Sequence, residues 1–127
     1  MILKCKDSDL NDFTIGKRYI CFGVQFNEYW NETKVSVRRD SDGTPVIVEI
    51  SKFEVINPSI PEGFEISFYK QEDTITTTIE PKEFSGEFWD DYHDGNPKME
   101  KLFEDTYIKI CKFNNFSITS DWLIKSR

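Results

Sequence analysis

The chain has 127 residues, a formal net charge of −7 and a sequence pI near 4.7. That length suits a single domain with a real core, and an aromatic content of 15 %, including 11 Phe, supplies the apolar bulk. The acidic balance argues against nucleic acid or an anionic membrane surface as a partner, because both demand basic patches; a basic protein suits it better.

The opening residues MILKCKDSDLNDF lack the apolar core of a signal peptide. The longest near-apolar run, residues 19–24, is far short of the ~20 residues that span a bilayer. Cys5, Cys21 and Cys111 are odd in number and show no CxxC spacing. Buried thiols in a reducing cytoplasm are expected, not a disulfide framework.

In chain order, residues 1–16 start polar and end in a turn at Gly16. Residues 17–24, KRYICFGV, are apolar on both parities, which predicts a strand buried on both faces. Residues 25–32 read as a loop carrying Tyr29 and Trp30. These aromatics either fold back onto the core or form an exposed contact pair, since Trp and Tyr are enriched among binding hot spots. Residues 33–39, TKVSVRR, and 44–50, TPVIVEI, predict a hairpin around Asp42-Gly43, with Pro45 at the start of its strand or on an edge. Another strand is expected over residues 52–56. Residues 13–57 together have the pattern of a small SH3-like barrel or curled sheet.

The break Asn57-Pro58-Ser59-Ile60-Pro61 reads as a joint between halves of one domain, residues 1–57 and 58–127. A second hairpin follows, FEISFY at 64–69 and DTITTTIE at 73–80, with Phe64, Ile66 and Phe68 on one face. Residues 83–94 are then laid on a helical wheel. Glu83, Glu87, Asp90, Asp91 and Asp94 fall within an arc of ~100°, beside Phe84, Phe88, Trp89 and Tyr92. The segment reads as a short helix with an aromatic inner face, Trp89 included, and a carboxylate outer face. Gly86 opposes an unbroken helix by ~1 kcal/mol; a helix beginning only there takes Ser85 as its N-cap. Gly95, Asn96 and Pro97 predict a stop and a new short helix over 97–104. Residues 106–113, TYIKICKF, predict a strand. Residues 116–124 fit strand or helix equally. The expected fold class is α+β: an SH3-like half, a second hairpin and two short helices.

The chemistry-bearing patterns are sparse. His93 is the single histidine, and the cysteines do not cluster, so no zinc site is expected. There is no G-x-S-x-G, P-loop or G-x-G-x-x-G. Asp90 to Asn96, DDYHDGN, fails as a calcium loop because Tyr92 stands where an oxygen ligand belongs. Glu83, Glu87 and Asp91 lie along one predicted face, whereas glycosidase carboxylates converge in a cleft. The expectation is a non-enzymatic binding protein with no metal and no cofactor. Its candidate partner-binding residues are Glu83, Glu87, Asp90, Asp91, Asp94, Tyr29 and Trp30. A merely solvated acidic face is the alternative use of those carboxylates.

Three stretches carry a resemblance: Thr14-Ile15-Gly16-Lys17-x-Tyr19, the hairpin marked by Ile60-Pro61, and Pro81-Lys82-Glu83-Phe84-x-Gly86-x-Phe88-Trp89-Asp90-x-Tyr92-x-Asp94-Gly95. In this order the chain resembles immunity proteins encoded beside polymorphic or contact-dependent toxins of low-GC bacteria. The resemblance implies tight binding to a cognate protein toxin, often a nuclease. A nuclease must be basic to hold nucleic acid, so carboxylates on its inhibitor raise on-rate and specificity. The other reading is a small adaptor or regulatory SH3-like module of a phage or mobile element, binding a peptide. An enzyme comes third.

Overall fold

The apolar pattern of residues 17–24 is explained by the computed structural model, which describes residues 1–7 and 9–117. The segment is not one strand. β2 (Arg18–Ile20) pairs with β1 (Ile2–Cys5), and β1 also pairs with β6 (Phe53–Asn57), giving an antiparallel sheet of order β2-β1-β6. β3 (Gly23–Asn27) belongs to a second antiparallel sheet with β4 (Lys34–Arg38), β5 (Pro45–Glu49), β7 (Phe64–Gln71) and β8 (Thr74–Pro81), in the order β5-β4-β3-β8-β7.

The chain changes sheets between Cys21 and Phe22. The Cys21 N–H donates to Met1 O and the Phe22 N–H to Ser36 O, each at 3.0 Å. At such a corner, alternate side chains meet different cores. Tyr19 and Cys21 join Leu3, Cys5, Val35, Val37 and Phe53; Ile20 and Phe22 join Ile2 and the helical residues. Both parities are apolar because both are buried.

The fold is α+β, with two antiparallel sheets and two helices among the described residues. The expected SH3-like barrel is not formed: the described strands make two sheets that do not close. The physical reason lies in β3, whose second edge is taken by β8, with Gln25 opposite Thr78. The strands of residues 13–57 are therefore divided between sheets, and the second hairpin completes one of them.

Local signals are followed closely at the turns. Gly43 takes φ +72 in the β4–β5 turn, and Pro45 opens β5 on the sheet edge. Gly95 takes φ +83, and the Asn96 side chain accepts from the N–H groups of Lys98 and Met99, with Pro97 at the first helical position. The helix that begins there, α2 (Pro97–Phe113), runs 17 residues. It replaces the strand expected over 106–113. Phe103, Thr106, Tyr107, Ile110 and Cys111 are all buried. Their spacing of i, i+3, i+4, i+7, i+8 is one face of a helix, so the packed core decides against the strand.

The acidic segment is also corrected. It is not one amphipathic helix. Lys82–Phe84 form a 3-10 turn, Gly86 takes φ +67, and only then does the six-residue α1 (Phe88–His93) begin. Ser85 is not the N-cap: its hydroxyl donates to Lys82 O at 2.8 Å, and Glu87 occupies the cap position. β1 escapes the polar reading of residues 1–16 because it has only four residues. Cys5, Cys21 and Cys111 are buried free thiols. No described helix is long and apolar enough to cross a membrane. The open choice for residues 116–124 lies, from residue 118 onward, outside the described residues.

Candidate functional site

Strand alternation gathers Gln25 on β3, Ser36 on β4 and Thr76, Thr78 and Glu80 on β8 to the same face of the five-stranded sheet. The helices leave part of this face uncovered. The result is a groove of about 810 Å³, within the range of small-ligand and side-chain sites. Gly23, Gln25, Ser36, Thr76, Thr78 and Glu80 line its floor, with Trp30, Trp89 and His93 beside them. Gly23 keeps the floor low. A Cβ there would stand 2.9 Å from Ser36 Oγ and 3.8 Å from Glu80 Cβ.

Trp89 and His93 are one helical turn apart on α1 and stack at 5.9 Å. Trp89 also stacks on buried Phe22 and tilts against Phe84, so it is both a core residue and a wall of the groove. Its indole Nε1 donates to Glu80 Oε2 at 3.1 Å. Burial pushes the Glu80 carboxyl above its ordinary pKa, and the indole hydrogen bond only partly offsets this. No described Lys, Arg or His makes an ion pair with Glu80. Two residues away on the same strand, the buried Thr78 Oγ1 has no hydrogen-bond partner among the described residues.

Tyr29 and Trp30 part company. Asn27 fixes their turn: its side-chain oxygen accepts from the N–H groups of Tyr29 at 2.9 Å and Trp30 at 3.0 Å. Tyr29 is then 67 % exposed, whereas Trp30 is half-buried and lines the groove. Lys34 Nζ lies 4.5 Å from the Trp30 ring centroid, a cation–π contact.

Around α1 and its caps, Glu87, Asp90, Asp91 and Asp94 fall within an arc of ~100°, so these four predicted carboxylates keep one face. Asp90 and Asp94 directly follow the groove residues Trp89 and His93 in sequence; Glu87, Asp90 and Asp94 are exposed and Asp91 is half-buried. Glu83 sits in the 3-10 turn, half-buried, and pairs with Lys109 of α2 at 3.5 Å. Among the described residues no group of three or more His, Cys, Asp or Glu could hold a metal ion.

Sequence reasoning missed Gly23, Thr78 and Glu80. The only signal was the polar parity of DTITTTIE, which marks a polar sheet face but not a groove. It also missed Arg38. That buried side chain donates from Nη1 and Nη2 to Glu104 at 2.9 and 2.6 Å and from Nε to Gly43 O at 2.7 Å. Its guanidinium lies 4.9 and 4.7 Å from the ring centroids of Phe103 and Tyr107. On the opposite sheet face, Phe26, Ile66, Phe68 and Ile75 are exposed, so the stripe read in FEISFY is inward only at its start, where Phe64 is half-buried. Compared with known proteins, the chain matches no family model, no curated protein and no solved structure.

Proposed function

We propose that this protein is an immunity protein that acts in the cytoplasm, binding and neutralising a cognate basic toxin through its acidic surface without catalysing a reaction. A nuclease fits the charge of such a toxin best. The observation that carries the reading is an aromatic-walled groove beside a carboxylate-rich helix: Trp30 and Trp89 line the groove, and Glu87, Asp90, Asp91 and Asp94 share one face of α1 and its caps. Interface hot spots are anchored by Trp, Tyr and Arg, and charges around them steer association. A net charge of −7 adds a long-range attraction for a basic partner.

The test is co-expression with the product of the adjacent gene. The expected result is relief of that product's toxicity and a stable complex on co-purification. A neighbour that is neither toxic nor bound contradicts the reading.

A peptide-binding adaptor of a phage or mobile element is the second reading. It is supported by the same two tryptophans, since extended peptides dock in aromatic-lined grooves, and by the curl where the sheets meet at Cys21-Phe22. Saturable binding of short Pro-rich peptides, without relief of any toxicity, would favour it.

A further inference from the structure

We propose that Glu80 anchors a subsite in the sheet groove that takes one cationic side chain, arginine by preference, from the partner protein. This deepens the toxin-binding reading and rests on it for the partner, but the subsite itself is argued from the groove alone.

A half-buried carboxylate normally finds a cation or several donors, because removing it from water is unfavourable otherwise. Glu80 receives one neutral N–H, from Trp89, and no described cation pairs with it. Lys34 and Arg38 share the Glu80 face of the sheet, but Lys34 rests on the Trp30 ring and Arg38 is held by Glu104; Lys70 lines the groove without pairing with Glu80. The chain therefore leaves the carboxylate to be met from outside.

The surroundings match a guanidinium. Thr78 precedes Glu80 by two positions on the same face, and its buried, partnerless hydroxyl leaves a second unmet acceptor beneath the groove floor about 7 Å along the strand. Trp89 and Trp30 wall the groove, and indole rings are surfaces against which guanidinium groups pack. Lys34 on Trp30 shows one of these rings already holding a cation. Carboxylate, acceptor hydroxyl and aromatic walls converge on a concave site, which is the chemistry of arginine recognition.

The test uses the ¹⁵N-labelled full chain and the peptide acetyl-Gly-Arg-Gly-amide, with the citrulline peptide as its neutral isostere. The indole signals of Trp30 and Trp89 are assigned with Trp30→Phe and Trp89→Phe. The arginine peptide should shift both indole signals saturably, with a Kd on the order of millimolar, as expected for one side chain. The citrulline peptide should bind about tenfold more weakly or not at all. Glu80→Gln should lose the preference, while Glu54→Lys, on the three-stranded sheet, keeps it. Thr78→Val provides a second variant should Glu80→Gln disturb the fold, and it should weaken the arginine peptide alone. Equal binding of both peptides, unchanged binding in folded Glu80→Gln, or no indole shift at saturating peptide each overturns the subsite. The two proposals fail separately. Arginine binding without any toxin partner keeps the subsite and removes the immunity reading. Toxin binding indifferent to Glu80→Gln does the reverse.

Discussion

Glu104 and Glu80 are carboxylates in two differently finished regions of the molecule. At the end covered by α2, Glu104 is gripped by both terminal nitrogens of Arg38, and Arg38 lies against Phe103 and Tyr107. At the groove end, Glu80 meets one indole N–H. The first region closes its charges on itself and fastens helix to sheet. The second leaves a carboxylate and two tryptophans along an open concavity, over a buried hydroxyl that has no partner among the described residues. The contrast separates what the fold needs from what it holds out to a partner.

Removing the internal cation breaks the contrast most severely. Arg38→Met should cost ~3–5 kcal/mol in denaturant unfolding, because Glu104 is left without its partner in a mostly buried position. Adding Glu104→Leu should recover much of that loss, since the stranded charge goes with it. A cost under ~1 kcal/mol for Arg38→Met means that the pair does not fasten α2.

Trp89→Ala comes next, at about 3 kcal/mol, the low end for losing a large aromatic, because Trp89 is only half-buried. The residue belongs to both regions, so the variant should lose partner binding as well as stability. An unchanged melting temperature would make it an interface anchor alone.

Glu80→Gln should move stability the other way, upward but by no more than ~1 kcal/mol. The carboxyl's pKa is raised in the folded chain by burial. Folding therefore favours its protonated form, and stability is lost as pH rises from the ordinary carboxyl range through the raised folded value. The variant should match the wild type near pH 4 and melt higher at pH 7. A lower melting temperature at pH 7 would mean that the charged form is welcome in the free protein, and the contrast with Glu104 would dissolve.

The smallest effect is expected from Glu87→Lys with Asp91→Lys. Glu87 is exposed and Asp91 half-buried without an ion pair among the described residues, and the two lie one turn apart at the start of α1, where like charges repel. Thermal melts should change by under about 0.5 kcal/mol.

Legibility in the sequence followed locality. Asp42-Gly43, Gly95-Asn96-Pro97 and the edge proline Pro45 act through their own backbone preferences, and the fold uses each as expected. The acidic wheel lost Glu83, because Gly86 takes positive φ and splits the segment before α1. The α2 stripe from Phe103 to Cys111 was present in the residues, but β-prone Tyr, Ile and Phe in 106–113 concealed it, and tertiary packing overrode that propensity. The corner at Cys21-Phe22 could not be read, because residues apolar on both parities fit one doubly buried strand as well as two strands in two sheets. The groove was illegible for a stronger reason. Gly23, Trp30, Thr78, Glu80 and Trp89 come together only through the pairing of β3 with β8 and the placement of α1. No spacing along the chain announces that.

The central claim is that a basic toxin docks on the carboxylate face of α1 beside the groove. It is tested most directly by the association rate of the cognate toxin, measured against ionic strength, for two double charge reversals. Asp90→Lys with Asp94→Lys alters the carboxylate face; Asp9→Lys with Glu54→Lys alters exposed positions off α1 by the same net charge. The account predicts that the α1 variant associates about tenfold more slowly at low salt and loses most of its salt dependence, while the other variant slows by about threefold or less. Equal slowing by both, or a larger effect from Asp9 and Glu54, would contradict it and move the docking surface away from the groove.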